Sequence, residues 1–169
     1  MPRPNLSRIP EWFHNYVNKV PENDLMEAMI NQTSSFINFF ERIPVAKRDY
    51  RYAEEKWTIK EMLQHIIDAE RVFAYRGLCI ARKDTTPLPG FDENNYANNA
   101  KANIRDWDDM MEEFKVVRRS SEILFGSFDE EQSEANGTAN DNPIYVLAIG
   151  FILVGHVNHH LSILKERYL

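Results

Sequence analysis

The residues best suited to chemistry are the histidines. The chain has five, and three of them, His156, His159 and His160, crowd into its closing stretch GHVNHHLSILKERYL. That stretch carries a helical period. At about 100° of turn per residue, His160 lies about 40° from His156, and Ile149, Ile152 and Ile163 all fall within about 40° of it. His156 and His160 therefore belong to an apolar stripe, while His159 falls about 60° away, at its edge. Imidazoles at i and i+4 stand about 6 Å apart on one helix face, a spacing at which two rings can share one metal ion. A third protein ligand is needed to hold an ion well. His65, between Leu63 and Ile66 in EMLQHIIDAE, is the candidate; Asp68 and Glu70 on the same segment are acidic alternatives, otherwise expected to pair with Arg71 or Arg76. Against a metal stands the plainer possibility of packed core histidines, or of imidazoles placed to complement a helix C-terminus.

Other groups carry weaker signals. Arg76 and Arg118 are candidate clamps for an anionic ligand, since a guanidinium grips carboxylates bidentately, with an ordinary ion pair as the alternative for each. Asp92 and Glu93 are candidate catalytic carboxylates in a polar loop. Tyr75 and Tyr96 are candidate pocket walls. Trp57, just before a helix start, reads as a hydrophobic staple. His14 reads as a surface or interface residue and Cys79 as a small packed hydrophobe.

The elements that must position these groups are helical. Pro10 to Val20 forms a short amphipathic lead-in. Asn23 or Asp24 caps a first long helix with apolar positions Leu25, Met29, Phe36, Ile37, Phe40 and Ile43, closed by Pro44. Thr58 and Glu61 make a capping-box pattern that opens a second helix from Ile59 to about Arg82. KDTTPLPGFDENNYANN, with Pro87, Pro89 and Gly90, reads as a long loop. A third helix is expected from about Ala100 to Phe125, and a polar connection over 126–140. Asp141 or Asn142 then caps a fourth helix with Pro143 at its first position, ending near Glu166. No stretch alternates with period two long enough to predict a strand. Four amphipathic helices hide their stripes by packing together, which predicts an all-α four-helix bundle with long connecting loops.

Bulk composition narrows the function classes. A chain of 169 residues with 43% hydrophobic and 27% charged residues reads as one globular domain over 1–169. Its formal net charge of −6, with no basic tract, argues against nucleic acid as a partner. The single cysteine excludes an internal disulfide and fits a reducing compartment. The N-terminal stretch shows no signal-peptide pattern, and the longest apolar run, roughly Ile144 to Val157, is too short to span a membrane. The expected location is cytoplasmic, with no membrane partner.

Two segments carry a family resemblance. WTIKEMLQHIIDAERVFAYR, followed near the C-terminus by GHVNHHLSIL, resembles the DinB-like superfamily of YfiT-type proteins, and the similarity runs from about Asp24 to Tyr168. The resemblance implies an up-and-down-type four-helix bundle in which His65, His156 and His160 bind a divalent ion, commonly nickel, zinc or iron. It also implies an enzyme, most concretely a metal-dependent thiol S-transferase that joins a low-molecular-weight thiol such as bacillithiol or glutathione to a small electrophile, in detoxification or stress response. A metal-dependent hydrolase and a non-enzymatic metal-binding or small-molecule-binding bundle are the alternatives. Relatives often form homodimers through helices, and Phe39, Phe40 or the amphipathic N-terminus would supply such a surface here.

Overall fold

Three of the four long helices begin where side chains meet their orphan amides. In the computed structural model, which describes residues 1–169, the order is α1 Glu11–Asn18, α2 Leu25–Glu41, α3 Ile59–Ala81, α4 Glu93–Ala100, α5 Trp107–Gly126, α6 Glu130–Glu134, β1 Asn136–Ala139, β2 Asn142–Tyr145 and α7 Val146–Arg167. Asp24 caps α2, accepting from the amides of Met26 and Glu27. The capping box of α3 is complete: the Thr58 amide donates to the Glu61 carboxylate at 2.7 Å, and the Glu61 amide donates to the Thr58 hydroxyl at 3.1 Å.

Two connections differ from their sequence patterns. The expected long loop contains α4, capped by Asp92, which accepts from the Asn95 amide at 2.9 Å. Lys101 then takes a left-handed conformation at φ 52° and ends α4, so α5 starts at Trp107 under an Asp106 cap rather than near Ala100. The residues expected to open the last helix form a hairpin instead. Asn140 and Asp141 both have positive φ, 51° and 58°, between the paired residues Ala139 and Asn142, as a two-residue I′ turn requires. Pro143 pairs within β2, and α7 begins three residues later at Val146, with no side-chain cap.

α2, α3, α5 and α7 form the four-helix bundle. α7 packs against α3 and α2, and α5 packs against α3 and α2, so consecutive helices α2 and α3 lie across a diagonal. Nor does direction alternate along the chain, as an up-and-down order would require. The Glu70–Arg118 and Gly77–Phe125 contacts advance together along α3 and α5, which are parallel. Contacts of Leu25 with Gly150 and of Gln32 with Val154 make α2 and α7 parallel as well. The long α3–α5 connection, with α4 in it, permits this by returning the chain to the end at which α3 starts.

The core has two parts. One packs Leu25, Phe125 and the first half of α7. The other is an aromatic stack in which Phe36 lies 4.2 Å from Phe40 and 3.8 Å from Phe114, with Phe40 5.9 Å from Trp107. Phe40 is fully buried there, which removes it from any dimer surface. α7 is apolar all round for three turns because helices cover it on every side. Contrary to its sequence pattern, it is long and apolar enough by length and composition to cross a membrane, but 78% of its most apolar window is buried against the rest of the chain.

α1 lies against α7 at its closest approach. A Cβ on Gly155 would stand 2.0 Å from the Tyr16 carbonyl oxygen, a backbone atom that cannot swing aside. Gly155→Ala should therefore push α1 away and cost about 1–3 kcal/mol, in the range of overpacked cores. Urea unfolding, together with faster amide exchange in α1, would show it; wild-type stability would contradict so tight a contact.

Candidate metal centre

The antiparallel pair α3 and α7 brings together the three histidines singled out by spacing. His65 lies on α3, and His156 and His160 lie one turn apart on α7. His156 Nε2 is 3.0 Å from His65 Nε2 and 3.0 Å from His160 Nε2, and the three candidate ligand atoms all lie within 4.8 Å of one another. All three side chains are buried.

Protons alone satisfy this cluster poorly. His156 Nε2 carries either one hydrogen or one lone pair, so it cannot make a full hydrogen bond to each of its two neighbours. A cation satisfies all three, because two nitrogens bound to one ion at about 2.0–2.1 Å stand about 3 Å apart. The donor set is three imidazoles with no carboxylate among them. That set fits a borderline divalent ion such as zinc, nickel or iron and leaves the ion's charge unneutralised.

The surroundings keep the rings neutral. Burial lowers the pKa of His65 to about 4 and that of His160 to about 2. Burial, then its histidine neighbours, holds His156 well below the ordinary value. The unfolded chain takes up these protons near pH 6.5, whereas the folded chain resists until far lower pH. Their stabilising contribution is thus complete above about pH 6.5 and is lost as pH falls, through about pH 4 for His65. The metal-free protein should lose on the order of 3 kcal/mol through His65 alone over that interval. Urea midpoints of chelator-treated protein across the interval would measure the loss; a flat profile would contradict it.

Aromatic rings wall the cluster. Trp57 lies 4.7 Å from the His65 ring and 6.5 Å from that of His160, so it is a wall of the site. Phe73 meets His156 edge-on at 5.8 Å. Tyr16 of α1 meets His156 at 5.7 Å and His159 at 5.5 Å. His159, only part-buried, is outside the triad. A cleft of ≈ 230 Å³ reaches His160 between Tyr52, Lys56, Trp57, Met62, Ile163 and Tyr168. Tyr168 fastens this wall by donating its hydroxyl to the Trp57 carbonyl at 2.7 Å.

The other sequence candidates are engaged elsewhere. Asp68 accepts from Gln64 at 2.9 Å and lies 3.8 Å from Arg71. Glu70 pairs with neither Arg71 nor Arg76 but forms a buried bidentate pair with Arg118, at 2.8 Å for each bond. Arg118 is thereby removed as a ligand clamp, and Arg76 donates to the Pro89 carbonyl at 2.7 Å. Asp92 is a helix cap. Glu93 stands near enough to Tyr16 that its charge, after burial, raises the phenol pKa. Tyr75 and Tyr96 are exposed and line a separate cleft with Arg71 and Phe91. His14 Nε2 lies 2.9 Å from the Leu6 carbonyl and tethers the N-terminal turn. Cys79 is buried.

An all-α bundle with three histidines converging from two of its helices defines a recognisable class. The chain belongs to the DinB superfamily: that family's model matches residues 28–164, a span that holds all three rings. Among solved structures, YfiT from Bacillus subtilis, described as "a probable metal-dependent hydrolase with an unusual four-helix bundle topology", aligns with a TM-score of 0.70. The alignment covers 96% of this chain and 89% of that one, at 16% identity, so the likeness is one of fold. No curated protein matches the sequence.

Proposed function

We propose that the protein is a metal-dependent thiol S-transferase in which His65, His156 and His160 hold a divalent ion. The observation that carries this is the donor set: three buried neutral imidazoles with no carboxylate. A dication held only by neutral ligands in a poorly solvated site favours an anionic fourth ligand. When bound, such an ion lowers the pKa of a coordinated thiol or water and polarises an electrophile. The chain's own residues do the rest. Trp57, Phe73 and Tyr16 keep water from the rings, and the cleft beside His160 offers Trp57, Met62 and Ile163 to an apolar electrophile. The thiol proton goes to solvent. The S–C bond forms as the carbon–leaving-group bond breaks, and the leaving group departs with its electron pair.

A cytoplasmic role in disposing of reactive electrophiles fits the single buried cysteine. Elemental analysis of the purified protein would identify the metal. Metal-loaded protein should then conjugate at least one of bacillithiol, glutathione, cysteine or coenzyme A to monochlorobimane faster than the metal-free protein. No excess rate with any of them would overturn the transferase assignment.

One observation favours a second reading. The fold is that of YfiT, described as a probable hydrolase, and the same site would serve an activated water. The absence of a carboxylate base from the cluster weighs against it. Ester or amide turnover without added thiol would decide for hydrolysis.

A further inference from the structure

We infer that Gln32 is a positioning residue for the histidine cluster, locking the rotation of α7 about its own axis. Gln32 is buried on α2 and touches none of the three histidines through a hydrogen bond. Its Nε2 donates to the Val154 carbonyl at 2.6 Å and to Asn158 Oδ1 at 2.6 Å. These residues lie two before and two after His156. At about 100° per residue, each points about 160° away from it. Gln32 thus grips the back of the turn whose front carries His156.

The grip is directional and fully satisfied. Gln32 Oε1 accepts from Arg118 Nη1 at 2.8 Å, and Arg118 is a pure donor, so the amide cannot flip without facing donor to donor. Arg118 is itself fixed by its fork onto Glu70 of α3, five residues beyond His65. At the other end Asn158 Nδ2 donates to the Lys19 carbonyl at the end of α1. One chain of bonds therefore runs from α3 through α5 and α2 to α7 and α1. It ties the helix of His65 to the helix of His156 and His160 and to the helix of Tyr16. Apolar packing alone fixes axial rotation weakly, because α7 is apolar on every face over its first three turns, which would still bury leucines and valines if the helix rotated. The buried amide bonds penalise that rotation, since turning α7 would orphan them.

The consequence for function rests on the three histidines being the ion's ligands, as proposed above. Gln32→Met keeps the volume and removes the bonds. It should weaken cobalt binding about tenfold or more, the scale seen when partners behind metal ligands are removed, and alter the cobalt d–d spectrum. Phe125→Leu is the matched control. Phe125 packs on Gly77, about 18 Å along α3 from His65, so it should lower stability while leaving affinity and spectrum unchanged. In metal-free protein, Gln32→Met should also move the ring resonances of His65 and His156 more than the control does. Asn158→Ala cuts the same bond from the α7 side and carries the test should Gln32→Met not fold. Wild-type affinity, spectrum and ring shifts in the Gln32 variant would overturn the lock, as would equal losses in the control. Failure of the wild-type protein to bind cobalt would sink the metal assignment alone, because the ring shifts judge the lock without metal.

Discussion

Alanine at His65, His156 or His160 is expected to abolish stoichiometric metal, and alanine at His159 to leave it in place. The first three present Nε2 to one point, and losing any one leaves two imidazoles with no substitute. Glu70 is tied to Arg118 and Asp68 to Gln64, so neither carboxylate is free to swing in. His159 instead lies edge-on to Tyr16. The effect is readable in stability too. An ion at a hundred times its Kd adds about 2.7 kcal/mol, which for a chain of this size is a rise of roughly 5 to 11 °C in Tm. That rise should appear on loading the wild type and His159→Ala, and vanish in the three ligand variants. Elemental analysis after loading and desalting, with circular dichroism to confirm folding, measures both. Full metal in all three ligand variants would remove the site.

The histidine triad was legible because two local rules agree on it. The i, i+4 spacing puts His156 and His160 on one face, and the 3.6-residue period puts that face in the apolar stripe. His65 follows the same period on a helix whose start the Thr58–Glu61 box marks. What was not legible depends on partners distant in sequence. Nothing local states that α2 and α3 are diagonal, because amphipathic stripes show that helices pack and not which helices pack together. The hairpin escaped because Asn140–Asp141 lacks the glycine that usually marks a I′ turn. α4 escaped because an eight-residue polar helix burying only Ala97 has no apolar period. Trp57 and Tyr16 carry no signal as site walls; a tryptophan before a helix cap reads only as a staple until α7 is placed beside it. Gln32 and Asn158 left no trace, since Gln32 sits in the polar run NQTSS and Asn158 among the histidines of GHVNHHLS. Spacing alone cannot pair residues 126 positions apart.

Arg118→Met should be among the most destabilising single substitutions in the chain. Arg118 is the bulkiest of the fully buried side chains, and Glu70 beside it is 1% exposed. Removing the guanidinium strands a buried carboxylate and leaves Gln32 Oε1 without its donor. Breaking such a pair costs about 3–5 kcal/mol, a fall of roughly 6 to 20 °C in Tm for a chain of this length. Most of that is the penalty of the stranded charge and not the worth of the pair. The double variant Arg118→Met with Glu70→Met should therefore recover much of the loss, since apolar groups of similar volume replace a buried ion pair at little cost or with a gain. The single-variant loss should persist at high salt, because a pair without solvent contact is poorly screened. The exposed Lys83–Glu131 pair is the contrast, and Lys83→Ala should leave Tm unchanged. If the double variant recovers Tm yet binds metal more weakly than the wild type, stability and alignment separate. The pair is then retained for the angle at which α7 presents His156 to His65, and a more stable apolar core would be a poorer metal centre.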